Sequence, residues 1–145
     1  MITTATIAST APAQSVALHL TTPQCASWTG WEFLKQLISG GESGHKARPS
    51  HPDWHRVARD FAQAHGIAYM LKQIGEWAPG SGDFGQGRYR TAAVAQDGRV
   101  VDGGFDRAGY PAGATSADGW AMVHWAGRKA AGRLLDDREW NEVPS

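Results

Sequence analysis

The chain has 145 residues, with 14 basic and 14 acidic side chains, a single cysteine, 18 glycines and 7 prolines. This length suffices for one domain with its own core, and the balanced charge argues against holding nucleic acid through bulk positive charge. One cysteine excludes an intrachain disulfide and any zinc or iron–sulfur site that needs three or four sulfur ligands from this chain. No apolar run approaches the roughly 20 residues of a membrane span, and the N-terminus lacks the basic residues of a signal peptide. We therefore expect a cytoplasmic protein.

The beginning of the chain is unusual because residues 1–31 contain no Asp, Glu, Lys or Arg. Solvated tails usually carry charge or low complexity, so two interpretations stay open. The segment is a loose tail leading into an edge strand around Val16–Leu20, or it orders only against a partner. Its Cys25 has no basic neighbour and is expected to be an inert thiol. We divide the chain into this uncharged segment, residues 1–30, and a single α/β domain, residues 31–145.

A strand, a helix and a second strand are predicted between residues 33 and 72. Residues 31–39 are apolar enough for a buried strand, at least in their second half. The helix begins after Ser50 or His51, with a proline in its first turn. Apolar residues then recur at helical spacing: Trp54, Val57, Ala58, Phe61 and Ala62. Gly66 ends the helix, and the second strand covers Ile67–Leu71. Such a unit pairs its strands in parallel with a right-handed crossover.

Binding sites in parallel α/β sheets form beyond the carboxyl ends of the strands, so polar residues from both strand ends should share one rim. The candidate ligand-binding residues there are Gly40, Gly41, Glu42, Ser43, Arg48, His51, Asp53, Lys72, Gln73 and Glu76. Glycines let a backbone approach a ligand closely, and the Glu42 carboxylate could take an amine or ribose hydroxyls; the alternative is a tight turn with a solvated Glu42. Lys72 could hold a phosphate or carboxylate with Glu76 holding it in place, or the two form a rim ion pair worth at most ~1 kcal/mol.

Antiparallel strands between glycine-rich loops, at residues 78–90 and 103–119, are predicted for the rest of the domain. Residues 91–96 and 99–102 flank Asp97-Gly98, a strong signal for a two-residue hairpin, and another strand follows at 120–125. Residues 127–135 fit either a short helix or the second arm of a hairpin, and the glycines at 127 and 132 favour the hairpin. The fold class is therefore α/β: a strand–helix–strand unit with antiparallel additions.

Two further groups of side chains could bind a ligand or a metal. Lys129 and Arg133 belong to the densest basic cluster and could contact a phosphate, although pairing with the two aspartates that follow is an equal alternative. His51 and His55 stand four residues apart, as in some metal sites. Because no third ligand follows from the spacing, we expect one capping and one surface histidine, and no metal.

Three blocks of residues together resemble the C-terminal part of a phage-encoded family of radical-SAM-like proteins. The blocks are Gly40-Gly41-Glu42-Ser43-Gly44 with Ala47-Arg48-Pro49 and His51-Pro52-Asp53-Trp54; Lys72-Gln73-Ile74-Gly75-Glu76-Trp77; and Gly127 to Asp136 with Glu139-Trp140 and Val143-Pro144. The resemblance covers about residues 36–77 and 120–144 and implies the last strands of a partial barrel. It also implies that the full family protein carries, in an N-terminal half, a cysteine triad for a 4Fe–4S cluster, which this chain lacks.

Half a barrel would expose an unpaired strand edge, which the uncharged segment, a second copy of the chain or another protein could cover. We therefore favour a small phage- or prophage-derived binding protein of the host cytoplasm, not an enzyme by itself and without a cofactor. It would contact another protein or a second copy and inhibit a host defence system such as a CRISPR complex. The alternative is the substrate-binding part of a radical-SAM-type enzyme acting on a nucleotide-like substrate, with the iron–sulfur cluster on another chain. A decayed fragment without a function is the third hypothesis.

Overall fold

A computed structural model describes residues 4–8, 33–80, 89–105 and 109–145. In chain order the elements are β1 (Thr4–Ala8), β2 (Gln36–Gly40), α1 (Pro52–Ala64), β3 (Ala68–Gln73), β4 (Trp77–Pro79), β5 (Arg90–Val94), β6 (Val100–Phe105), a 3₁₀ turn (Ser116–Asp118), β7 (Ala121–Trp125), α2 (Arg128–Ala131), β8 (Leu134–Leu135) and β9 (Arg138–Glu139). Neither helix in this described part combines the length and the apolar character that a bilayer crossing requires.

The first sheet is parallel, with strand order β1-β2-β3. The predicted strand–helix–strand unit and its parallel pairing are confirmed, and the fold class is α/β. The uncharged segment supplies β1, which pairs with β2 on the side away from β3. The strand expected around Val16–Leu20 lies outside the described residues.

Helix α1 packs on this sheet through small side chains and the ring of Phe61. Ala58 and Ala62 are buried against Leu37 of β2 and Leu71 of β3. Two predictions about the helix surface are wrong. Val57, expected on the apolar face, is exposed, whereas His55, expected on the surface, is 1% exposed.

The C-terminal residues close the outer edge of β3. Leu71 N–H donates to the Trp140 carbonyl at 2.9 Å, and Glu142 N–H donates to the Tyr69 carbonyl at 3.0 Å. The Trp140 ring also meets the Tyr69 ring edge to face, with centroids 5.9 Å apart. This edge of the sheet is therefore paired by the chain itself.

The second sheet is antiparallel, with strand order β4-β7-β5-β6. The hairpin predicted at Asp97-Gly98 is confirmed between β5 and β6, and Gly98 has a φ of 94°. The preference for a hairpin at residues 127–135 is wrong, because this stretch contains the short helix α2. Gly127 and Gly132 flank that helix as its caps, with φ values of 83° and 69°, and so do not interrupt it.

Candidate functional site

The loops that follow β2 and β3 lie side by side, as predicted for the carboxyl edge of the sheet. Gly41 N–H donates to the Gln73 carbonyl at 3.0 Å, and Glu76 N–H donates to the Glu42 carbonyl at 3.0 Å. Gly40, at the end of β2, lies beside Lys72 and Gln73 in the same way. The glycines thus bring two backbone segments together, where the sequence predicted an approach to a ligand.

The Glu42 carboxylate is held by Arg48. Its Oε2 accepts from the Arg48 N–H at 2.8 Å, and its Oε1 accepts from the Arg48 Nε at 2.9 Å. The Arg48 guanidinium, hydrogen-bonded to the carboxylate, lowers the pKa of Glu42. Both carboxylate oxygens therefore already have partners, while the neighbouring Ser43 is exposed at the tip of the loop.

Glu76 joins three segments of the chain. Its carboxylate accepts from the Gly44 N–H at 2.9 Å and from the Arg128 N–H, at the start of α2, at 2.8 Å. The Gly44 N–H is the main cause of the lowered pKa of Glu76. The sequence analysis predicted that Glu76 pairs with Lys72. In the described part of the chain, the Glu76 carboxylate instead accepts hydrogen bonds from the Gly44 and Arg128 N–H groups. The Lys72 side chain is exposed.

The predicted basic cluster does not pair with the aspartates that follow it. Asp136 accepts from Arg59 at 2.6 Å and from Arg56 at 2.9 Å, both on α1. Arg133 instead donates to Asn141, and Lys129 is exposed on α2. The sequence did not predict these ion pairs, because Asp136 lies far along the chain from Arg56 and Arg59.

His51 caps α1, as predicted. Its Nδ1 accepts from the Asp53 N–H at 3.1 Å, so its Nε2 carries the proton and donates to the Gly119 carbonyl at 2.9 Å. Burial lowers the pKa of His51, which keeps the ring neutral. The described residues contain no group of three or more His, Cys, Asp or Glu arranged to hold a metal.

Two adjoining cavities open at the N-terminus of α1, and they share Pro52, Arg56 and Pro79 as lining residues. We call the first the polar crevice, of about 290 Å³; its other lining residues include Ser50, His55, Ile74, Leu134, Asp136 and Asp137. We call the second the aromatic groove, of about 380 Å³; its other lining residues include His51, Asp53, Tyr110, Ser116, Gly119 and Trp120. Together they form a cleft at the carboxyl edge of the parallel sheet, where ligands bind in open α/β folds.

Sequence reasoning placed His51 and Asp53 at this edge but missed the other cleft residues. Ser50 could have been found, since it directly precedes the predicted helix at the carboxyl edge. Tyr110 and Trp120 could not, because they reach the cleft from a glycine-rich loop that has no periodic pattern.

The fold and the cleft define an α/β protein with a ligand-sized cleft at the carboxyl edge of a short parallel sheet. A family profile described as "Protein of unknown function (DUF5131)" matches residues 11–144. The chain belongs to this family. Searches of the curated proteins and of the solved structures found no significant match.

Proposed function

We propose that this chain binds a nucleoside-like ligand in the cleft and is the substrate-binding part of a radical-SAM-type enzyme. The observation that carries the proposal is the junction of the polar crevice with the aromatic groove at Pro52, Arg56 and Pro79. A nucleoside has the same division: a flat base that stacks on aromatic rings and a sugar that needs hydrogen-bond partners. In the cleft, the exposed ring of Tyr110 supplies such a surface, beside the largely buried Trp120.

The groups that would meet the sugar lie in the polar crevice. Ser50 offers a hydroxyl, and the Asp137 carboxylate on its rim makes no hydrogen bond within the described part of the chain. Carboxylates accept hydrogen bonds from pairs of hydroxyls or from amines. The aliphatic walls, Ile74 and Leu134, suit the uncharged part of the ligand.

Charge around the cleft favours a nucleoside over a nucleotide. Arg56 is the cation that both cavities share, and it is already bonded to Asp53 at 2.6 Å and to Asp136 at 2.9 Å. With Asp137 nearby, carboxylates outnumber this cation along the rim, which disfavours a dianionic phosphate. A neutral or cationic nucleoside, such as S-adenosylmethionine, fits this balance better.

The residues present do not fit a 4Fe–4S cluster, because the chain has one cysteine and such a cluster needs several thiolates. In this proposal the radical chemistry that the resemblance implies is supplied from outside these 145 residues, whose part is to bind and orient the substrate.

Calorimetric titration tests the proposal with adenosine, guanosine, cytidine, uridine and S-adenosylmethionine, and with AMP to probe the effect of a phosphate. We expect at least one nucleoside to bind, AMP to bind more weakly than adenosine, and Tyr110→Ala to weaken binding about tenfold through lost stacking. Phe33→Ala is the matched control, since Phe33 is an exposed ring outside the cleft. The absence of heat from all of these ligands at millimolar concentration would refute the proposal.

A second candidate function, binding another protein, is supported by the edge strand β6. Among the described strands β6 ends the second sheet, and its Val100 is 47% exposed. Edge strands with apolar side chains accept a strand from a partner, and a host-defence complex in a bacterial cell would be such a partner. The tagged chain should then recover one stoichiometric partner from host lysate, Val100→Lys should lose it, and Val143→Lys should retain it. Equal recovery by both variants would argue against this surface.

A further inference from the structure

A buried histidine connects the polar crevice to the interior of the domain. His55 lies in the first turn of α1 and is 1% exposed. Its Nε2 is 3.3 Å from the Ser50 Oγ, which lines the crevice, and its Nδ1 is 2.6 Å from the Ser39 Oγ on β2. A nucleophile, a base and a third group that orients the base form the arrangement typical of covalent catalysis, and the first distance is often long before a substrate binds.

The hydrogen-bond partners of Ser39 determine which nitrogen of the His55 ring carries the proton. The Tyr69 hydroxyl donates its proton to the His55 carbonyl at 3.1 Å, and Ser39 partly offsets the rise that burial gives the pKa of Tyr69, as a serine hydroxyl directed towards the phenol oxygen does. The Ser39 oxygen then accepts from the His55 Nδ1–H. This assignment of protons leaves the Nε2 lone pair facing the Ser50 hydroxyl, as a base requires.

The imidazole is neutral at pH 7, because burial lowers the pKa of His55 to about 4. A neutral ring can accept the serine proton, although its low basicity places the expected acceleration at the lower end of what general bases provide.

We propose that Ser50 is a nucleophile of the polar crevice, with His55 as its general base and Ser39 as a positioning residue. The substrate class is an ester or another activated acyl compound. The Ser50 Oγ forms a bond to the acyl carbon while its proton passes to His55 Nε2. The bond from that carbon to the leaving oxygen then breaks, and His55 returns the proton to the leaving group. Water releases the acyl group by the same route in reverse.

Arg56 can stabilise the negative charge that develops on the acyl oxygen. Its Nε and Nη1 are bonded to Asp136 and Asp53, whereas its Nη2 has no partner among the described residues. The N-terminus of α1 adds the positive end of a helix of 13 residues. The proposal uses the crevice but does not depend on nucleoside binding.

Labelling with a fluorophosphonate tests the proposal on the full chain without any knowledge of the substrate. In this reaction an O–P bond forms at Ser50, the P–F bond breaks, fluoride leaves and the proton goes to His55. Peptide mass spectrometry should show Ser50 modified about 100-fold faster than Ser116, an exposed serine that lines the aromatic groove. Labelling of Ser50 no faster than Ser116 would overturn the proposal, even if nucleosides bind.

Ser50 is 5% exposed, so accessibility alone does not favour its labelling, and variants and pH test whether His55 activates it. His55→Gln should reduce Ser50 labelling to the rate of Ser116, and Ser39→Ala should lower it while Ser39→Thr retains it. If His55→Gln does not fold, the pH profile of the wild-type chain decides.

The rate at an unassisted serine rises about tenfold per pH unit, because it requires the alkoxide. With a neutral base already in place, the rate should be flat between about pH 6 and pH 8. The groups around the dyad are Tyr69, whose pKa burial raises to about 12, Asp136, whose pKa its Arg59 and Arg56 hydrogen bonds lower, and the charged Arg56 and Asp137. A tenfold rise per unit in the wild type would refute the role of His55.

Discussion

Two glycines at the rim have no room for a side chain, because the loops after β2 and β3 touch there. A Cβ on Gly41 would lie 1.8 Å from the Ile74 carbonyl oxygen, and one on Gly75 would lie 2.5 Å from the Glu42 carbonyl oxygen. Gly75 also has a φ of 108°. We expect Gly75→Ala to lower the free energy of unfolding by at least about 3 kcal/mol, through steric clash and backbone strain together.

Gly44 provides the control for this change. Its φ of 99° is equally unfavourable for alanine, but a Cβ there would meet nothing within 4 Å. Gly44→Ala should therefore cost only the strain, about 1 kcal/mol. Urea unfolding of both variants gives the comparison, and equal losses would show that the loops do not pack as described.

His55 makes the stability of the domain depend on pH. Its pKa is about 4 in the folded protein, against an ordinary 6.5, so between these values the unfolded chain binds a proton that the folded chain does not. The free energy of unfolding therefore falls as the pH drops from 6.5 towards 4, by about 3 kcal/mol in total.

Burial lowers the pKa of His51 and His124 in the same direction, so His55→Gln should reduce this pH dependence without abolishing it. Urea unfolding at about pH 5 and about pH 7 measures the difference. A variant with the same loss as the wild type would show that His55 is not the main titrating group.

Among the elements, the short helix α2 depends on a carboxylate from another loop. Gly127 gives α2 no side-chain cap, and the Glu76 carboxylate accepts from the Arg128 N–H instead, while also holding Gly44. Glu76→Gln replaces one acceptor oxygen with a donor and removes the charge. Amide exchange should then become faster at Gly44 and Arg128 and stay unchanged at Gly98, in the distant hairpin turn. Unchanged exchange at both amides would contradict this function of Glu76.

Periodicity predicted the regular elements well, because their boundaries depend on local chemistry. Pro52 after His51 and Gly66 after the helix set the limits of α1, and Asp97-Gly98 set the hairpin. Local sequence signals gave the wrong element at Gly127, because this glycine caps a short helix whose first N–H is bonded by Glu76 from another loop. The strand ends placed Glu42 and Glu76 at the carboxyl edge of the sheet, but their pairing with Arg48 and with the N–H of α2 was not predicted, since loop packing selects these partners.

The residues of the cleft were still harder to predict from local sequence signals. Ser50 and His55 lie close in sequence, yet helical spacing placed His55 on the surface, because the pattern of apolar residues gave no sign that Ser39 and Ser50 satisfy a buried ring. Tyr110 and Trp120 reach α1 only through tertiary packing of an irregular loop. Such contacts follow from the assembled domain and not from any local sequence signal.

At the scale of the whole molecule, the C-terminal segment completes the parallel sheet. Besides the two backbone hydrogen bonds between this segment and β3, the Glu142 carboxylate accepts from the Tyr69 N–H at 2.9 Å and from the Gln63 side-chain amide at 2.8 Å. The Glu142 carbonyl accepts from the Gln36 side-chain amide at 2.9 Å. The segment therefore joins β2, α1 and β3, and it covers Tyr69 with the ring of Trp140.

Removal of residues 140–145 should lower the free energy of unfolding by at least about 3 kcal/mol, since it deletes a large ring and several hydrogen bonds. It should also promote self-association, because β3 becomes an open edge. Removal of residues 143–145 alone is the matched control and should have little effect, as Val143 is 72% exposed. Urea unfolding and size-exclusion chromatography measure the two effects. If both truncations behave alike, the closing contacts of Trp140 and Glu142 do not stabilise the domain.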